Sequence, residues 1–121
     1  ARPLATLTHA TRLLEVANRR NAGICVDPLH LARSGGRPDD LRAIPRGRLP
    51  YAQWSDGTLA PVSRQLSGEG ELELAAILTA LPPALPLSVE VPMPTDPTLT
   101  TRSWCRTLIE HTRAWLSRYG E

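Results

Sequence analysis

Three polar side chains close three apolar stretches of the chain: Asp27 ends AGICVD, Gln53 lies in PYAQWS, and Glu90 lies in LPLSVEV. A carboxylate set among valines is costly to bury without a partner, and glutamate is almost never fully buried unpaired. Glu90 therefore asks for a cation or a proton-transfer role. Taken singly, Asp27 reads equally well as the cap of the turn that follows it, and Gln53 as a satisfied core amide. Taken together, three such residues in phase on consecutive strands are more than three coincidences. His30 stands three residues after Asp27, and a D-x-x-H spacing after a strand brings both groups to one pocket; alone, a histidine in a polar loop is simply solvated. Arg64 follows the second stretch and suits an anionic or hydroxylated substrate, where the plain alternative is an exposed loop arginine. Gly68-Glu69-Gly70 permits a tight turn and is weak by itself. Glu69, Glu71 and Glu73 read as a solvated helix start, and His9 and His111 as helix-surface residues.

The elements that must position these groups follow from periodicity and stop signals. Apolar residues Leu7, Ala10, Leu14 and Ala17 predict a helix over 5–20, ended by Asn21 and Gly23. A buried strand is expected over 22–27, then a Gly/Arg-rich loop, then a short helix over 38–44 with Pro38 in its first turn. A second strand is expected over 50–55, followed by a polar loop of roughly fifteen residues. A helix over 71–80 is stopped by Pro82 and Pro83. A third strand over 85–91 leads through PMPTDPT to a last helix over 98–118, with Asp96 as its start signal. Strands alternating with helices imply parallel strands. Side chains alternate along a strand, so Gly23, Cys25 and Asp27 share one face, as do Tyr51, Gln53 and Ser55, and Ser88 and Glu90. One face is then apolar and packs under helices, while the other carries its polar group near the strand's carboxyl end, as the rim of a (β/α) barrel does.

Composition narrows the functional classes. With 41 % hydrophobic and 21 % charged residues the chain has a globular balance. A net charge of +2 argues against nucleic acid as an obligatory partner. All 14 basic residues are Arg, which excludes a Schiff-base lysine. No apolar run approaches the ~20 residues of a membrane span, and no signal peptide is visible, so a cytoplasmic location is expected. Cys25 and Cys105 are expected to be free core thiols.

In order and spacing, GICVDPLHLARSGG, PYAQWSD, R-x-x-x-GEGELEL and LSVEVP resemble the xylose isomerase-like TIM barrels. This is the sugar phosphate isomerase/epimerase superfamily, which also includes the type-2 AP endonucleases. The resemblance implies a divalent metal at the barrel top, held at the ends of the fifth to eighth strands by Glu, Asp, His and Glu. Asp27 then matches the sixth-strand Asp and Glu90 the eighth-strand Glu, while His30, Arg64 and Gly70 match substrate-facing positions. Two departures stand out. Gln53 replaces the seventh-strand His; its oxygen suits Mn²⁺ or Mg²⁺ better than Zn²⁺ and disfavours the endonuclease reading. Some dehydroshikimate dehydratases of the superfamily carry a Gln there too. Strands one to five, with the first metal-ligating Glu, are missing, so that Ala1 would lie just after strand five.

The expected fold class is thus α/β, a partial (β/α)8 TIM barrel of about strands 6–8 with flanking helices, with residues 1–121 as one piece of a domain of ~250 residues. The function implied is a metal-dependent isomerase or epimerase of a sugar or sugar phosphate, acting through a metal-stabilised enediolate. Asp27, Gln53 and Glu90 would be metal ligands, Glu90 and His30 catalytic residues, and His30, Arg64 and Gly70 substrate-binding. The alternatives are a dehydroshikimate dehydratase-like lyase and a non-catalytic barrel relic or binding module. Expected partners are a sugar or polyol and either the missing N-terminal half-barrel or a second copy, with neither nucleic acid nor membrane. The fragment alone is expected to be inactive.

Overall fold

A computed structural model describes residues 4–119; the expected junction at Ala1 lies outside them. Helix α1 spans Leu7–Ala17. The Thr6 side chain accepts the His9 amide at its start, and Asn18 ends it in the left-handed conformation (φ 46°). Residues 24–27 then run extended. They meet β1 through one parallel bridge, Val26 to Ala52, so the expected first strand is reduced to a single rung.

The next stretch departs from the expected loop. Asp27 is the N-cap and Pro28 the first residue of α2 (Pro28–Arg33), with Leu29 and Leu31 buried. An acid followed by proline is a helix-start signal, and here it outweighs the glycines and arginines that suggest a loop. Helix α3 (Pro38–Arg42) falls where Pro38 placed it, and a 3-10 turn at Arg46–Arg48 leads into β1 (Ala52–Trp54).

The expected fifteen-residue polar loop is in part a β-hairpin. Strands β2 (Asp56–Leu59) and β3 (Val62–Gln65) pair antiparallel, Asp56 with Gln65 and Gly57 with Arg64. Their connection, Ala60-Pro61, lacks the Asn-Gly or Asp-Gly dipeptide that announces a hairpin, and Asp56-Gly57 sits at the strand start instead. Helix α4 is Leu74–Ala80, shorter at its start than expected, and packs on α3. Strand β4 (Leu87–Val89) pairs parallel with β1, Gln53 beside Ser88 and Trp54 beside Val89.

Helix α5 spans Thr101–Tyr119. Asp96 does not cap it. Its carboxylate accepts the Thr98 amide at 2.8 Å and the Thr98 hydroxyl at 2.7 Å, closing a tight turn ahead of the helix. Those two bonds hold its pKa below the ordinary carboxylate value. The cap falls to Thr100, whose hydroxyl accepts the Ser103 amide at 3.1 Å while the Ser103 hydroxyl accepts the Thr100 amide at 3.0 Å.

The core lies on one face of this short sheet. Trp54 is completely buried, packs against Trp115 of α5 with ring centroids 5.8 Å apart and planes inclined by 52°, and donates its indole N–H to Ser67 at 3.1 Å. Leu41, Leu49, Leu74, Ile77 and Leu81 complete the cluster around it. Both cysteines are free, but Cys105 is exposed on α5 and Cys25 only half-buried, so neither is a core thiol. The architecture is therefore α/β, an open part of a barrel; the barrel is not closed. Among the described residues no helix is long and apolar enough to cross a membrane.

Candidate functional site

Register places the polar residues. Directly paired residues in a sheet point to the same side. Because Val26 pairs with Ala52 and Gln53 with Ser88, Asp27, Gln53 and Ser88 stand at one level and on one face. The Gln53 amide donates to the Val26 carbonyl at 2.8 Å and the Glu90 amide to the Trp54 carbonyl at 3.0 Å, which continues the ladder to the strand ends. Ser55 and Glu90 occupy the next level on that face, opposite the one where Trp54 meets α5.

What joins these groups is Arg64, brought in by the hairpin. Its Nη2 donates to Asp27 Oδ2 at 2.6 Å and lies 3.4 Å from Glu90 Oε2, and its Nη1 donates to Ser55 Oγ at 2.9 Å. The guanidinium side chain is only 13 % exposed. Partial burial works against its charge, but the hydrogen bond to Asp27 and the charges of Asp27 and Glu90 outweigh that, and its pKa is raised above the ordinary arginine value. The Asp27 side chain is 6 % exposed, so its carboxylate depends on this partner; that of Glu90 is 45 % exposed.

Asp27 has two duties. Oδ1 accepts the His30 amide at 3.1 Å, which caps α2, while Oδ2 faces Arg64. The turn-capping and site readings of the sequence are therefore both true of it, one oxygen each. The His30 ring, on α2 rather than in a loop, points its Nε2 to within 3.9 Å of Asp27 Oδ2 and is largely exposed. Asp27 and His30 also border a cavity of about 300 Å³, with Cys25, Gln53, Leu7 and Ala10 on its walls. The Gln53 amide oxygen lies 3.8 Å from Cys25 Sγ. Arg64 and Glu90 do not line that cavity, so Asp27 is the residue common to both groupings. Among the described residues, no three His, Cys, Asp or Glu side chains form a metal-binding group. The donors this face offers are two carboxylates and an amide.

Gly70 lies apart from Arg64's ion pairs, backed against the start of β2. A Cβ there would stand 2.5 Å from both the amide nitrogen and the carbonyl oxygen of Gly57, so only glycine lets the 68–72 loop pass so close. The loop is gathered around Asp56, a residue the sequence reading did not single out. Its buried carboxylate accepts the amides of Gly57 (2.8 Å), Gly68 (3.0 Å) and Leu72 (3.1 Å). Nor is His111 a plain surface residue: its Nε2 lies 2.9 Å from the Ser67 carbonyl and ties α5 to the same loop. Of the three glutamates read as a helix start, Glu71 accepts the Leu59 amide at 2.6 Å and so braces the hairpin. Asp56 and Ser55, directly after the Gln53-Trp54 pair, were the available signal for this support.

No family model matches the sequence, and no curated protein does either. Solved structures do. The IolI protein with a bound zinc atom superposes with a TM-score of 0.82 at 22 % identity, over 95 % of this chain and 45 % of its own. A xylose isomerase domain protein from Alicyclobacillus acidocaldarius subsp. acidocaldarius gives 0.76 at 25 % identity, over 96 % of this chain and 44 % of its own. A xylose isomerase-like TIM barrel/4-hydroxyphenylpyruvate dioxygenase fusion protein gives 0.73 at 23 % identity, over 95 % and 21 %. The chain thus has the fold of one part of xylose isomerase-like TIM barrels and spans less than half the length of these structures.

Proposed function

We propose that the protein carrying this chain is a metal-dependent isomerase or epimerase of a sugar, sugar phosphate or related polyol, working by proton transfer at the carbon beside a carbonyl. The observation that carries this reading is the convergence of Asp27 and Glu90, from strand ends on either side of β1, on one cationic nitrogen. Gln53 stands between them on the same face. Two carboxylates that already share a cation, with an amide oxygen at the level of one of them, suit a hard divalent ion such as Mn²⁺ or Mg²⁺. That a structure of the same fold, the IolI protein, holds zinc supports a divalent metal as the cofactor.

Asp27, Gln53 and Glu90 would hold the ion, with the remaining ligands supplied from outside these residues. When bound, it polarises the substrate carbonyl and offsets the charge that develops as the proton leaves. Glu90, half-exposed at the rim, takes and returns that proton at its carboxylate. His30 and Arg64 orient the hydroxyl groups, and the Gly70 loop backs the hairpin that carries Arg64. The amides of Ile24 and Val26 point to the 3-10 turn and β1, which turns the Cys25 and Asp27 amides toward the open edge. That edge invites further strands, from the rest of a barrel or from a second copy.

The test is solvent exchange. Incubated in D₂O with Mn²⁺ and a panel of ketoses, aldoses and their phosphates, the intact protein should place deuterium on the carbon next to the carbonyl of one of them and form its isomer. A dehydrated product instead would make it a lyase. No exchange and no product with any member of the panel, with Mn²⁺, Mg²⁺ or Zn²⁺ supplied in turn, would overturn the reading. Gln53→His is expected to keep metal binding while moving preference toward Zn²⁺, because imidazole nitrogen is the softer donor. Competitive titrations of Mn²⁺ against Zn²⁺ read this directly, and an unchanged preference would remove Gln53 from the ligand set.

A further inference from the structure

Resting on the metal site just proposed, we infer that Arg64 is the cation that fills that site when no metal is bound, and that a divalent ion enters by displacing the Arg64 guanidinium. Asp27 is too buried to remain an unpaired carboxylate, and among the described residues the only cationic atom in contact with it apart from His30 is Arg64 Nη2 at 2.6 Å. His30 approaches no closer than 3.9 Å and is mostly exposed. Arg64 Nη2 also lies 3.4 Å from Glu90, so it sits between the two carboxylates assigned to the metal.

A guanidinium and a divalent ion cannot both occupy the same oxygen of the buried Asp27 carboxylate, where their charges would repel, and one must leave. Arg64 is able to leave because it is carried on a hairpin strand rather than on the sheet that holds Asp27 and Glu90. Its remaining tie is the Ser55 hydroxyl at 2.9 Å. Once displaced, the guanidinium stands beside the bound ion with its donors free, which is where an anionic or hydroxylated substrate needs it. Metal loading and substrate recognition are then coupled through one side chain: the arginine becomes available only to a metal-loaded site.

Two measurements on the intact protein decide the matter. Mn²⁺ titration, followed by the loss of its free-ion electron paramagnetic resonance signal, should show Arg64→Gln binding about tenfold tighter than wild type. Arg64→Lys should fall back toward wild type. In the wild-type protein, phenylglyoxal labelling mapped by peptide mass spectrometry should be slow at Arg64 without metal and faster once Mn²⁺ is added. This second readout needs no variant and stands even if Arg64→Gln fails to fold. Wild type that binds Mn²⁺ while Arg64→Gln binds no tighter, or labelling of Arg64 that slows on metal addition, would overturn the displacement. Failure of both proteins to bind Mn²⁺ would overturn the metal site itself. Binding by Arg64→Gln alone would support the displacement in its strongest form.

Discussion

Glu90→Gln should reduce kcat of the intact protein by about 10²–10⁴-fold, the range for removing a positioned general acid or base. Glutamine keeps the length of the side chain and one oxygen donor but cannot take a proton at the pH of the reaction. The fold should not suffer: Glu90 is nearly half exposed and its contact with Arg64 is a peripheral 3.4 Å, an ion pair of small worth. Its backbone bond to Trp54 does not depend on the side chain. The loss should therefore fall on kcat with the unfolding transition unmoved. Steady-state kinetics beside a urea titration separate the two effects. A kcat within about tenfold of wild type would strip Glu90 of its proton-transfer role and leave it at most a ligand.

Asp56→Ala should damage the fold severely, destabilising it by about 3–5 kcal/mol. Asp56 is 2 % exposed, and its two oxygens serve three backbone amides, from Gly57, Gly68 and Leu72. Alanine leaves these donors without their acceptor around a cavity of carboxylate size. The damage reaches the site because Gly57 pairs across the hairpin with Arg64. When the 68–72 loop loosens, the strand that aims the guanidinium at Asp27 loses its backing. Asp56→Asn should cost less, since its single amide oxygen can still serve the Gly57 and Leu72 amides that share Oδ1. Urea unfolding of both variants gives the comparison. A cost below about 1 kcal/mol for Asp56→Ala would mean that water readily replaces the carboxylate.

Local chemistry was enough to place much of this protein. The Pro38 helix, the stop at Pro82-Pro83 and the apolar periodicity of α1 depend on nearby residues, and each element appears near those signals, although α1 ends at Ala17 with Asn18 as its cap and not at Asn21 and Gly23. Alternation along short apolar stretches likewise put Asp27, Gln53 and Glu90 on one face, because a strand's side chains can only go one way or the other. The same alternation overstated 22–27, whose regular pairing stops at one rung, since strand length is set by a neighbour and not by the segment itself.

The hairpin, the clamp at Asp56 and the seating of Arg64 were decided by tertiary structure. Their partners lie 9 to 37 residues apart in sequence. Nothing within the polar stretch 56–70 favours a hairpin over a loop. The stretch folds back because Asp56 collects the distant amides of Gly68 and Leu72, and because a buried Asp27 on another strand draws in a cation. The sequence determined which residues stand at the strand ends, through steric alternation and capping. Only the folded chain decided which charge faces them, because satisfying a buried carboxylate is a demand that any sufficiently close cation can meet, and closeness is a property of the whole fold.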